Sequence, residues 1–127
     1  MTKKFITTTQ APAAIGVYSQ AVVSGDTLYI SGQIPLLPDS MEIVSDNIDD
    51  QIEQVFDNLT AICTEAGAKL DDAIKFNVYL TDLAHFPKVN TTMEQRLAAP
   101  YPARAVVEVS ALPKGVQVEV DAIVDLS

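Results

Sequence analysis

An arginine and a glutamate on two neighbouring Val-rich runs are the residues of this chain best suited to chemistry. Both lie in residues 101–124, YPARAVVEVSALPKGVQVEVDAIV, which reads as two β-strands joined by a Pro/Gly turn. Arg104 heads the first run and Glu119 interrupts the second, where apolar alternation gives no place for a charge. A guanidinium is a rigid fork matched to a carboxylate, so Arg104 suits bidentate capture of an anionic substrate. It equally suits an ion pair with Glu108, Glu119 or a carboxylate on another subunit. Glu119 can position or deprotonate a water, or it can sit on a solvated strand face between Gln117 and Asp121. Glu108 carries the same two readings.

Further hydroxyls and amides stand near small residues, in Tyr18-Ser19-Gln20 and Tyr29-Ile30-Ser31-Gly32-Gln33. Taken singly they read as hairpin side chains that bond locally. Ser31 has no base partner in the sequence and is not read as a nucleophile. Asn90 braces a loop or faces a cleft. Cys63 falls on an apolar stripe and reads as core, and His85 reads as a surface residue. One histidine and one cysteine leave no ligand set for a zinc-type site. Gly25, Gly32 and Gly67 are too far apart for a phosphate-binding loop. The residues thus call for no cofactor and no metal.

The elements that must hold these groups can be read from spacing. Residues 3–9 are β-branched and read as a first strand. Residues 11–16 form a loop of small side chains. Residues 18–23 and 27–34 read as a hairpin about Ser24-Gly25-Asp26, with Gly32 marking a bulge or a close backbone approach. Ser45 or Asp46 is placed to cap a long helix, in which Ile48, Ile52, Val55, Phe56, Leu59, Ile62 and Cys63 make one stripe. Gly67 is its stop. Asp71-Asp72 reads as a solvated turn. Ile74, Phe76, Val78 and Leu80 alternate with polar residues, giving a strand covered on one face. Thr81 or Asp82 can cap a second helix with the stripe Leu83, Phe86, Val89, Asn90, Met93 and Leu97, with a break at Pro87. Strands follow over residues 103–109 and 116–124. This order predicts an α+β fold, two helices on one face of a mixed sheet, with a parallel right-handed crossover between the strands that flank the second helix. The other sheet face keeps apolar residues, and its predicted cover is other subunits in a closed ring.

Composition narrows the function. The chain has 127 residues, enough for one domain over residues 1–127. Hydrophobic residues make up 48%, with a mean hydropathy of +0.19, which again points to apolar surface covered by another subunit. The net charge of −9, with eight scattered Lys and Arg, argues against nucleic acid and against anionic membranes as partners. The first residues carry two lysines without a following apolar run, so they do not read as a signal peptide, and no stretch is long enough to span a bilayer. A cytoplasmic protein is the default expectation.

In order and spacing, a set of fragments resembles the RidA/YjgF family of reactive-intermediate imine deaminases. They are Ala11-Pro12-Ala13-Ala14-Ile15-Gly16, Tyr18-Ser19-Gln20-Ala21, Ser31-Gly32-Gln33-Ile34-Pro35, Asn58-Leu59, Ala66-Gly67, Phe86 with Val89-Asn90, Tyr101-Pro102-Ala103-Arg104, Val107-Glu108-Val109, Leu112-Pro113 and Val118-Glu119-Val120. The resemblance implies a chorismate-mutase-like homotrimer whose sheets form a central barrel, with clefts at the subunit interfaces. It implies hydrolysis of 2-enamino and 2-imino acids, such as 2-aminoacrylate or 2-iminobutanoate, to 2-keto acids and ammonia, without a cofactor. Arg104 would bind the substrate carboxylate and Glu119 would hold the water. Tyr18 would line the cleft, with Ser31, Gly32 and Asn90 nearby. Val106 stands where family members often carry a cysteine, and it too would line the cleft. The segment between Asn90 and Arg104 is a few residues short of the family's pattern, which would alter the loop at the cleft mouth. Two other readings stand beside this one: a non-catalytic 2-keto acid sensor or sink, and a single-stranded RNA endoribonuclease.

Overall fold

The long amphipathic stripe forms a helix because its apolar residues recur at helical spacing and meet the sheet on one side. Ile52, Val55, Phe56, Leu59, Ile62 and Cys63 are all fully buried. In the computed structural model, which describes residues 2–127, this helix is α1 (Ile48–Glu65). The other elements are β1 (Lys4–Ile6), β2 (Ala21–Ser24), β3 (Thr27–Gln33), β4 (Ala73–Leu80), α2 (Phe86–Arg96), β5 (Ala103–Glu108) and β6 (Val118–Asp125). Asn47 caps α1, not Ser45 or Asp46: its side chain accepts from the Asp50 N–H at 3.1 Å. Ser45 instead donates to the Asp50 carboxylate at 2.8 Å. Asp49 and Asp50 lie at the positive end of the helix dipole. Gly67, at φ +83, supplies the left-handed stop.

The strands form one six-stranded sheet in the order β1-β2-β3-β6-β4-β5. All neighbours are antiparallel except β4 and β5, the predicted parallel pair joined through α2. The fold is the α+β architecture with both helices on one face. Val118, Val120, Ala122 and Val124 of β6 pack beneath them with Leu28, Ile30, Phe76, Val78 and Leu80. Phe56 of α1 meets Phe76 edge to face, with ring centres 5.8 Å apart. Each such side chain taken from water contributes on the order of 2 kcal/mol.

Several boundaries differ from the reading of spacing. β1 holds three residues, and β6 begins at Val118. β2 begins at Ala21, so Tyr18 lies in the preceding loop. Here the buried amide of Gln20 takes the backbone of that loop away from any ladder. Its oxygen accepts from the Thr8 N–H at 2.7 Å, and its nitrogen donates to the carbonyls of Thr8, Ala11 and Pro12. Ile74 is 47% exposed, because β4 shifts register against β6 between Ala73 and Lys75 and leaves it as the extra residue of a bulge. Leu83 is 41% exposed, because it belongs to a 3-10 turn (Leu83–His85) out of phase with the α2 stripe. Asp82 caps that turn, and Pro87 sits in the first turn of α2, where its missing N–H costs nothing.

α1 and α2 are tied by Arg96, which bonds Glu53 at 2.7 Å and Asp57 at 2.8 Å. Partial burial pushes the Glu53 carboxyl upward, but hydrogen bonds from Arg96 and Thr92, with the Arg96 charge, outweigh it and hold it below its ordinary range.

The opposite face of the sheet carries no layer of its own among the described residues. One row across it reads Phe5, Val22, Tyr29, Ile123, Lys75 and Ala103 by register. The next rows carry Asn77 beside Asp121 and Tyr79 beside Glu119. Phe5, Tyr29 and Val107 are each more than 40% exposed there.

Candidate functional site

Glu119 projects from the central strand β6 onto the open face. It is half-buried because β3 bulges beside it: the β3–β6 register shifts between Ile30 and Gln33, at Ser31 and Gly32. The missing side chain of Gly32 makes room for the Glu119 carboxylate. A Cβ built there would lie 2.5 Å from Glu119 Oε2. Burial raises the Glu119 carboxyl above the ordinary carboxylate range, and the neighbouring Asp121 charge adds to the shift. Asp121 itself accepts from Asn77 Nδ2 at 2.8 Å and from the Tyr79 hydroxyl at 3.2 Å.

A cleft of about 750 Å³ opens beside Glu119. Tyr18, Ser31, Gly32 and Glu119 all line it, as does the apolar wall of Ile15, Ile34, Leu36 and Met41. Three buried amides brace the segments around it. Gln20 holds the loop at residues 8–12. Asn58 of α1 donates to the carbonyls of Ile34 and Leu36 at 3.3 and 3.1 Å. Gln51 of α1 accepts from the Gln117 N–H at 2.9 Å, fixing the entry to β6. Ser31 Oγ donates to the Ser19 carbonyl at 2.6 Å, so it pins the Tyr18 loop to β3 and is not set up as a nucleophile.

Arg104 lies elsewhere. It sits near the start of the edge strand β5, on the helix face, in register with Phe76. Its guanidinium stacks over the Phe86 ring, 4.9 Å from the centroid. Nη1 donates to Asn90 Oδ1 at 2.5 Å and lies 3.6 Å from Met93 Sδ. A second concavity of about 460 Å³ is lined by Asn90, Met93, Glu94, Tyr101, Pro102 and Arg104. None of the ion pairs among the described residues involves Arg104. Glu108 accepts from the Leu83 N–H at 3.0 Å instead, which anchors the turn leading into α2. The ion pair with Glu108 or Glu119 that the sequence left open is therefore not formed within the chain.

Arg104 and Glu119 do not meet in one subunit. Glu119 is in register with Tyr79 on the open face, while Arg104 is in register with Phe76 under the helices. The offset is about 10 Å along β4 and about 10 Å across two strand spacings, on opposite faces. Asn90 sits with Arg104, while Tyr18, Ser31 and Gly32 sit with Glu119. Val106 lines neither concavity and packs part-buried against the core. Cys63 is core, and burial pushes its thiol up to about 12. No three His, Cys, Asp or Glu side chains among the described residues form a metal-holding group.

Comparison with known proteins decides the lineage. Residues 8–126 match the family model described as Endoribonuclease L-PSP. The chain is 41% identical over 122 residues to the 2-iminobutanoate/2-iminopropanoate deaminase of Dermatophagoides farinae, covering 96% of this chain and 95% of that protein. The crystal structure of RidA from an Antarctic Psychrobacter is 51% identical, with a TM-score of 0.92 over 96% of this chain and 98% of that one. The chain belongs to the RidA/YjgF family. The crystal structure of Escherichia coli TdcF with bound serine is a further neighbour of this RidA/YjgF chain, 39% identical with a TM-score of 0.90 over 98% of this chain and 99% of that one.

The reading of sequence alone missed some residues that line or border these two concavities. Met41 and Lys114 line the Glu119 cleft, and both have left-handed backbone, at φ 63 and 58. Nothing in their types signals this. Phe86 and Met93 hold Arg104 but read as helix core. Their spacing from Asn90, in steps of four and three, was the available signal: one stripe of α2 carries all three.

Proposed function

We propose that the protein hydrolyses 2-imino and 2-enamino acids to 2-keto acids and ammonia, at a site shared between copies of the chain in a homotrimer. The observation that carries this reading is the uncompensated charge of Arg104. It is held by neutral groups at an exposed strand edge, ready for a substrate carboxylate. The second half is Glu119, whose raised pKa makes it a better base than an ordinary carboxylate. Their placement on opposite faces of one sheet supports a site in which one copy supplies Arg104 and another supplies Glu119. The uncovered sheet face and the exposed β5 edge are the surfaces such an assembly would use, closing the sheets into a barrel. The deaminase name of the mite relative supports the reaction class, and the serine bound to TdcF supports a small ligand bearing an α-carboxylate and a nitrogen.

The chemistry needs little from the protein. An iminium carbon is already electrophilic. As a water oxygen attacks C2, Glu119 accepts a water proton and the C=N electron pair moves onto nitrogen. Glu119 then returns the proton to the amine of the tetrahedral intermediate. The C–N bond breaks, ammonia leaves, the hydroxyl becomes the keto oxygen and its proton passes to solvent. Arg104 holds the carboxylate and so fixes C2 against the water.

The test measures 2-keto acid release with an amino-acid oxidase or threonine dehydratase supplying the imine. Arg104→Ala and Glu119→Gln should each abolish the acceleration. Co-refolding equal amounts of the two variants should restore activity in about a quarter of the shared sites. No acceleration by the wild type with several imino acids overturns the reaction. Wild-type binding of 2-oxobutanoate without turnover would select the sensor reading. The family model's description favours a ribonuclease as a second reading. Cleavage of single-stranded RNA would support it, against the net charge of −9.

A further inference from the structure

Arg104 has an unusual set of partners for a cation. Its three contacts are an aromatic ring, a carboxamide oxygen and a thioether, all from one stripe of α2. Each is electron-rich and none carries a formal charge. Acids of β5 and α1 are engaged elsewhere: Glu108 with the Leu83 N–H, and Glu53 and Asp57 with Arg96. Glu94 lines the same concavity but forms no ion pair with Arg104. A carboxylate at the Asn90 position would fix the guanidinium more strongly, since ionised acceptors make stronger bonds. It would also cancel the charge that an anionic ligand must find.

We infer that Phe86, Asn90 and Met93 are positioning residues, a neutral cradle that orients Arg104 while leaving its charge free for the substrate carboxylate. This rests on the reading of Arg104 as the carboxylate-binding group, and it assigns Asn90 to Arg104 instead of to the substrate. Phe86 fixes the plane of the fork by stacking, Asn90 takes one of its N–H donors, and Met93 fills the gap beneath Nη1. The opposite edge of the guanidinium keeps its donors for the ligand. Glu108 serves the same end from a distance: by accepting from the Leu83 N–H it holds the turn that delivers Phe86, while its place four residues along β5, about 13 Å away, keeps it out of ion-pair reach of Arg104.

Asn90→Asp separates positioning from mere structure. It is nearly isosteric and keeps the hydrogen bond to Arg104, now charge-assisted. The fold should hold or gain stability, while the KM for 2-imino acids and the inhibition constant of 2-oxobutanoate both rise at least tenfold, with kcat within about threefold. Lowering the pH far enough to protonate the new carboxyl should recover part of the affinity. Phe86→Leu keeps apolar volume but removes the ring face. KM should rise roughly three- to tenfold, and Phe86→Tyr should restore it. The inference is overturned if Asn90→Asp folds and binds 2-oxobutanoate as tightly as wild type while Arg104→Ala does not bind. If Arg104→Ala itself keeps wild-type affinity and turnover, the carboxylate-binding reading fails first, and that outcome is distinct. If Asn90→Asp fails to fold, the Phe86→Leu and Phe86→Tyr pair decides by the same KM criterion.

Discussion

Replacing Gly32 with alanine probes the Glu119 side of the site with one methyl group. The backbone at Gly32 is not left-handed, so alanine meets no conformational penalty there. Its Cβ would stand 2.5 Å from Glu119 Oε2 and 2.9 Å from Cδ, where ordinary contact begins near 3.4 Å. The carboxylate must retreat by roughly an ångström. It is the soft partner, a side chain against two paired strands, so it moves and the sheet does not. A displacement of about 1 Å in a reacting group can cost on the order of 100-fold in rate. The thermal midpoint should move little, since gaining a Cβ removes unfolded-state entropy worth about 0.4–1 kcal/mol and offsets the collision. The assay is kcat for 2-keto acid formation with a continuous imine source, set beside a thermal melt and the pH–rate profile. Gly32→Ala should lose kcat with its KM nearly unchanged, because Arg104 is untouched. Its acidic limb should shift to lower pH as Glu119 moves toward solvent. A folded Gly32→Ala with wild-type kcat and an unshifted acidic limb would falsify the role of Glu119 as the base.

Glu119 also predicts a pH dependence of stability. Its folded-state pKa is raised, so between the ordinary carboxylate value and the raised one the folded protein binds more protons than the unfolded chain. Stability should therefore fall as pH rises through that window, and Glu119→Gln should flatten the fall; parallel melts across weakly acidic pH check it. Asn58→Ala removes a fully buried amide that donates to the carbonyls of Ile34 and Leu36. It should cost about 2–3 kcal/mol in urea denaturation, and it should loosen the apolar wall of the cleft, so that KM rises even where the variant is fully folded.

Much of the fold was legible because it depends on local periodicity. The α1 stripe, the Gly67 stop, the alternation in β4 and β6 and the parallel β4–β5 crossover follow from side-chain spacing and turn chemistry, which neighbouring residues determine among themselves. The misplacements arose where a side chain took over backbone partners or a strand changed register. Gln20 drew residues 8–12 out of any ladder and left Tyr18 in a loop. The bulge at Ile74 turned an apolar residue outward. Asn47 outcompeted Ser45 and Asp46 because its side-chain oxygen reaches the Asp50 N–H, while Ser45 is drawn to the Asp50 carboxylate.

For the site, the chain by itself identified its two charged residues and the bulge glycine. A charge on an apolar strand and a glycine within one are departures that spacing exposes. The tertiary structure decided the rest. Parity along β5 and β6 put Arg104 and Glu119 on opposite faces, which no count of residues between them reveals. Packing of α2 against β5 gave Arg104 uncharged partners, and the room left by Gly32 buried the Glu119 carboxylate far enough to raise its pKa. Both effects depend on groups distant in sequence meeting at van der Waals range, and that is set only when the sheet and helices close on one core.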